Sequence, residues 1–264
     1  MELEAIIENV KIYPQNRISS SQAIPLICSQ FCGMSATPDN QRDYSDKVGP
    51  LHLNPLVDGI LMYTLLSREN TTKFYILEGS ASITDLLKQS TQNLLIAVLD
   101  LGALFKDKSN AENAQEYLKF AWKYDKHFVV FFHRFEESTD NHLAVGMMQN
   151  DQFIIQRLVG SRSEDFQKAG IMPTKCVFYY DQPHTFGTDL PIPANATAVV
   201  TADAHSDWTQ LSQALKRMRQ FETSQSIHFA YSKACQKHCC GDTRSMSVTT
   251  LLHQAISNQV YCSR

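Results

Sequence analysis

The stretch from Cys176 to Tyr231 constrains the fold most. It opens on a short apolar and aromatic run, Cys176-Val177-Phe178-Tyr179-Tyr180. A run of this length and character suits a strand buried on both faces, and such strands belong to parallel sheets. A polar loop from Asp181 to Pro193 follows, then a second apolar run at 197–201. A helical pattern covers 207–221, and a third run covers 226–231. Strand, loop, strand, helix, strand in this order predicts an open α/β sheet, whose ligands bind where strands end.

Chemistry concentrates in that loop and helix. The loop holds His184-Thr185-Phe186-Gly187-Thr188-Asp189-Leu190-Pro191, with a glycine for a tight turn and hydroxyls and a carboxylate beside it. The helix carries Gln213, Arg217 and Arg219. Arginine is a fixed fork of donors that stays charged, which suits it to phosphate.

Thr185-x-Gly187-x-Asp189-x-Pro191, with Gln213 and Arg217 downstream, resembles motifs V and VI of superfamily 2 helicases and of the preprotein-translocase motor ATPase. The longer string from Tyr179 through Phe229 resembles large multidomain proteins, best known from fungi. Those proteins hold a translocase-like ATPase core and are commonly labelled ubiquitin thioesterases (ubiquitinyl hydrolases). The resemblance covers about Phe31 to Tyr231. Gly33-Met34-Ser35-Ala36-Thr37-Pro38 resembles motif III of the same ATPases, although alone it also reads as a Ser/Thr/Pro turn.

The resemblance implies a RecA-like, P-loop NTPase-like C-terminal helicase lobe over residues 93–235. Residues 1–48 are expected to be the trailing edge or remnant of a first lobe, 49–92 a linker with helices, and 236–264 a helical extension. Gln213, Arg217 and Arg219 would act at a nucleotide γ-phosphate, Arg217 being the better finger. Gly187, Thr188, Asp189, Ser35 and Thr37 would line the ATP–Mg site. That site would be shared with a P-loop lobe of the same or another chain. No Gly-x-x-x-x-Gly-Lys-Ser/Thr loop occurs here, so the chain alone should hydrolyse ATP poorly or not at all. Helicases place a second Arg seven residues after the Gln; Gln220 stands there, and Arg219 comes one residue early. The related proteins continue past the last helical pattern, so the chain is expected to be a fragment or a degenerate copy.

Other readings stay open. Asp181-Gln182-Pro183-His184 could be a DExH box, but Gln182 replaces the glutamate that would orient water. Cys235, His238, Cys239 and Cys240 form a local cluster whose partner pair for zinc could only be the distant Cys28 and Cys32; no metal is expected there. A ubiquitin-directed cysteine peptidase would need one of Cys28, Cys32 or Cys176 with His184 or His205, and no spacing selects a pair. A non-catalytic interaction module with decayed ATPase motifs is the third class.

Composition narrows the partners. A net charge of −3 over 264 residues provides no basic field for nucleic acid. No apolar run reaches membrane-spanning length, and Met1-Glu2-Leu3-Glu4 lacks a signal-peptide pattern. Seven cysteines without framework spacing predict free thiols and a cytoplasmic setting.

Local patterns fill in the rest. Leu56–Ser67 and Ser247–Val260 have helical spacing, and Ser82 and Ser109 open helices through capping boxes. Leu94–Leu99 and His127–Phe132 are strands, and Leu143–Met148 with Phe153–Val159 a hairpin. Lys73–Leu77 is a short strand, and Ser163–Lys168 a short helix ended by Gly170.

Overall fold

A computed structural model describes residues 55–78, 81–90, 94–185, 188–241 and 245–262. Ser35, Thr37, Cys28, Cys32 and the expected first-lobe remnant lie outside the described residues, as does Gly187. Two compact units divide between Ile60 and Leu61, and the second, Leu61 to Cys262, holds the whole sheet.

The helices are α1 (Pro55–Ser67), α2 (Ile83–Gln89), α3 (Asn110–Ala121), α4 (Ser163–Lys168), α5 (Trp208–Leu215), α6 (Lys233–Cys240) and α7 (Val248–Cys262). The strands are β1 (Phe74–Leu77), β2 (Ala97–Leu99), β3 (Phe128–Arg134), β4 (Asn141–Gln149), β5 (Gln152–Arg157), β6 (Cys176–Tyr180), β7 (Thr197–Ala202) and β8 (Ser226–Ser232). They form one eight-stranded sheet in the order β1-β8-β7-β2-β6-β3-β4-β5. Six strands run parallel, and the β4–β5 hairpin adds an antiparallel edge. The fold is α/β, with helices on both faces.

The two-residue period of a strand explains how both faces are filled. In β6, Cys176, Phe178 and Tyr180 join one apolar layer, while Val177 and Tyr179 join the other. The first layer takes Leu61 and Leu65 of α1, Phe166 of α4, Trp208 and Leu211 of α5, and Val248 and Leu252 of α7. The second takes Ile83, Leu86 and Leu87 of α2 and Ala114, Tyr117 and Leu118 of α3. No residue of β6 has a solvated side, so it reads as a continuous apolar run.

Local signals set the helix starts. Ser82 and Ser109 each accept from the backbone N–H three residues on, and Asp85 and Glu112 reach back to the cap N–H, closing both capping boxes. Gly170, at φ +72°, takes the left-handed turn after α4. No described helix is long and apolar enough to cross a membrane.

The hairpin turn consists of Asn150 (φ 50°) and Asp151 (φ 60°), both left-handed as a tight two-residue turn between twisted strands requires. Asp151→Gly creates the favoured Asn-Gly pair. It should stabilise the chain by about 0.5–1 kcal/mol, read as a raised urea midpoint at unchanged slope.

Two expectations on extent are corrected. The compact unit begins well before Asn93, because β1 pairs in parallel with β8, Phe74 against Phe229 through Leu77 against Ser232. The helix expected over 207–221 ends at Leu215. Beyond it Arg217, Met218 and Phe221 close i→i−3 backbone bonds to Ala214, Leu215 and Met218. The Gln213 carbonyl, which α-helix continuation would give to the Arg217 N–H, accepts instead from Arg217 Nε at 3.3 Å. The side chain thus displaces a helical bond, and the chain tightens into turns.

Candidate functional site

Among its described residues, the crossover from β6 to β7 contains one short 3₁₀ turn, over 182–185. Its loop crosses the face that carries α5, anchored by Leu190, Ile192 and Ala196 in that apolar layer. There it meets the turn that follows α5. Asp207 caps α5 by accepting from Gln210 N, and Trp208, Leu211, Ala214 and Leu215 press the helix onto the sheet. This packing puts residues 213–219 beside residues 188–189.

Arg217 Nη1 donates to the Thr188 carbonyl at 2.7 Å. Arg217 is only 7% exposed, so its charge sits largely inside the protein, and burial lowers its basicity. Arg219 Nε donates to Asp189 Oδ1 at 3.1 Å, in a pair whose side chains are 59% and 54% exposed. Gln213 is buried beneath them. Tyr180, fully buried at the end of β6, has its phenol held neutral by desolvation. Five of the eight residues singled out by sequence (Thr188, Asp189, Gln213, Arg217 and Arg219) thus lie together. The two arginines divide their work. Arg217 ties the loop to the turn, and Arg219 is the guanidinium open to solvent. Neither residue is helical.

A second polar group sits at the carboxyl ends of the central strands. Asp100, Asp181 and Asp203 directly follow β2, β6 and β7. These strands flank the switch point, since the chain leaves β2 toward β3 on one side and leaves β6 toward β7 on the other. Asp100 is 2% exposed. It accepts from Leu104 N at 2.8 Å, Phe105 N at 3.1 Å and Thr201 Oγ1 at 2.8 Å. Desolvation still outweighs these donors and raises its carboxyl above the usual range. Asp181 Oδ1 lies 2.6 Å from His184 Nδ1, and the His184 ring stacks on Phe132 at 3.9 Å and 6°. The Asp-x-x-His spacing was the only sequence signal for this pair. Nothing local marked the stacking, because Phe132 comes from β3, with β4 and β5 lying between it and β6 in the chain. No group of three His, Cys, Asp or Glu among the described residues is placed to hold a metal.

Burial disfavours the thiolates of Cys176, Cys235 and Cys239. Cys176 is pushed up to about 12 by burial and donates to the Met172 carbonyl at 3.3 Å. It starts β6 while His184 follows the far end, a strand rise of roughly 13 Å away. Ser138 Oγ lies 2.7 Å from His142 Nε2, but Arg157 Nη2 stands 3.0 Å from the other ring nitrogen. Arginine only donates, so Nδ1 accepts and Nε2–H points at the serine, the wrong tautomer for a base. A scan against protein-family models and searches of curated proteins and of solved structures found no match to this chain.

Proposed function

We propose that the unit from Leu61 to Cys262 is the RecA-like second lobe of a helicase- or translocase-like ATPase. It would complete a nucleotide site that a P-loop lobe mainly forms. One observation carries this reading. The loop after β6 and the turn after α5 are about thirty residues apart, yet they meet through Arg217 on Thr188 and Arg219 on Asp189. The mostly parallel, two-faced sheet supports the same assignment. The exposed pair fits a partial phosphate site, in which a γ-phosphate brought by another lobe would draw Arg219 from Asp189. Without a phosphate loop these residues would touch ATP–Mg but not retain it alone.

A second reading, a non-catalytic interaction module, draws on the internal engagement of Arg217 and on Gln182 and Gln220 at positions where ATPases carry charge. For the ubiquitin-directed peptidase, burial disfavours the thiolate of Cys176, while Cys28 and Cys32 lie outside the described residues.

Calorimetry of the purified chain with ATP and Mg²⁺ separates these readings. Weak binding without turnover is expected, and Asp189→Ala and Arg219→Ala should each abolish it. Both variants should unfold within about 1 kcal/mol of the parent, because an exposed ion pair contributes little to stability. Absence of binding at millimolar ATP, or binding indifferent to both changes, overturns the ATPase reading in favour of the module.

A further inference from the structure

On one side the sheet ends in β5, Gln152-Phe153-Ile154-Ile155-Gln156-Arg157. Among the described residues no strand pairs with its outer side. Natural sheets blunt such an edge with Pro, Lys, a bulge or a very short strand, because its N–H and C=O groups would otherwise template another chain. The opposite edge, β1, is four residues long. β5 is longer, carries neither Pro nor Lys, and pairs with β4 residue for residue, without a bulge.

One bond fixes which groups point outward. Leu158 N donates to the Leu143 carbonyl at 2.9 Å, so residue 158 is in a hydrogen-bonded pair with β4. Such pairs alternate with non-bonded ones along an antiparallel ladder. Residues 156, 154 and 152 therefore aim their backbone groups at β4, and Phe153, Ile155 and Arg157 aim theirs outward. Phe153 and Ile155 are half-buried beside the apolar layer of α2 and α3, whereas Gln156 and Arg157 are exposed.

A second copy of β5 fits this edge. Two identical antiparallel strands pair about a two-fold axis. That axis must fall on a residue, since an axis between residues would set outward groups against inward ones. Centred on Phe153, it sets Arg157 against Gln149 and Asp151 against Ile155. Centred on Ile155, it sets Arg157 against Phe153 and Asp151 against Val159. Centred on Ile154, it sets Phe153 against Ile155 and Arg157 against Asp151, on both sides of the axis. Among the described residues neither Asp151 nor Arg157 is in an ion pair within the chain. Arg157 Nη2 rests on His142 Nδ1 at 3.0 Å, and the guanidinium has further donors for a carboxylate.

We propose that the β5 edges of two copies pair antiparallel about Ile154, joining their sheets into one, with Arg157 of each copy paired to Asp151 of the other. Each Phe153–Ile155 pair exchanges two backbone hydrogen bonds, and the two-fold axis repeats the set. The strands are short, so the contact falls at the small end of specific interfaces, below roughly 1,200 Å², and the dimer is reversible. The pairing uses no residue of the nucleotide reading, and neither depends on the other.

The test is sedimentation velocity of the full chain at low salt, from micromolar to millimolar concentration. The parent should shift reversibly from monomer to dimer, and less so as salt screens the exposed ion pairs. Arg157→Glu sets two carboxylates across from each other at both ends and should weaken association at least roughly tenfold, since like charges opposite in a ladder repel. Adding Asp151→Lys to that change should restore the dimer. Ile155→Pro removes an outward donor but no bond to β4, so this variant should fold and stay monomeric throughout. Circular dichroism and the urea midpoint check the fold of each variant. A parent chain monomeric at millimolar concentration overturns the proposal. So does a dimer indifferent to Ile155→Pro, whose interface would lie elsewhere. A dimer that Arg157→Glu leaves intact overturns it too, because its register would not be centred on Ile154.

Discussion

Arg217→Ala should lower the unfolding free energy by about 3 kcal/mol, seen as a fall in the urea midpoint, and this loss should appear with no nucleotide present. Arg217 bonds the Thr188 carbonyl at 2.7 Å and the Gln213 carbonyl at 3.3 Å. Hydrogen bonds to a charged group contribute about 1.5–3 kcal/mol each, and deletion strands acceptors where water enters poorly. The loop it holds has no covering helix. Apart from its apolar anchors, it is tied by Gln225 Nε2 on the Pro193 carbonyl at 2.9 Å and by Ser224 Oγ on Ala194 at 2.6 Å. Arg217→Lys should recover only part of the loss, because an ammonium lacks the planar fork that spans two carbonyls. A variant as stable as the parent would show that water replaces the guanidinium, and the role given to Arg217 would fall.

The same residue separates the two readings of function. If Arg217 is structural, its removal disturbs the loop and nucleotide contact together, whereas Asp189→Ala and Arg219→Ala act on contact alone. Stability and binding must therefore be measured side by side on all three variants.

Sequence reached the strands and capped helix starts because their causes are local. A doubly buried strand must be continuously apolar, as Cys176 to Tyr180 is, and a capping box such as Ser109 with Glu112 closes within one turn. It missed what depends on remote partners. Lys73–Leu77 was read as a short strand, but its place in the sheet, beside β8 about 155 residues on, depends on a remote partner. The helical pattern over 207–221 was real in its apolar spacing, and Met218 and Phe221 are indeed buried. The turn beyond Leu215 depends on a side chain taking a backbone acceptor, which no periodicity records. Likewise, the pattern placed Gln213, Arg217 and Asp189 in one neighbourhood, but only packing decides which guanidinium stays inside. Cys235 to Cys240 was read as a cysteine cluster at the edge of a helical extension; the helix start is set by the Ser232 cap at the end of β8.

Gly102→Ala should be the other severe change, costing about 2–3 kcal/mol although the backbone there needs no left-handed conformation. A Cβ at this position would stand 2.8 Å from the Ala202 carbonyl carbon, 3.0 Å from its oxygen and 3.0 Å from Asp203 N. All three are backbone atoms at the end of β7, so no rotamer change relieves the contact, and overpacking of this kind costs 1–3 kcal/mol. The displacement also breaks bonds. Gly102 N donates to Thr201 Oγ1 at 2.8 Å, and that hydroxyl donates on to Asp100 Oδ1 at 2.8 Å. Pushing the two strand ends apart removes one of the three donors that offset the burial of Asp100. Its carboxyl should then rise further above the ordinary range. The sign for pH follows. An acid whose folded pKa lies above its unfolded value disfavours the fold once ionised, so its penalty is absent below the unfolded pKa and grows as pH climbs through the folded one. The Gly102→Ala deficit should accordingly be larger at neutral pH than in mild acid, and urea titrations at the two pH values measure it. Asp100→Asn in the Gly102→Ala background should abolish that extra pH dependence. A deficit equal at both pH values would leave the steric clash as the whole effect and remove Asp100 from the account.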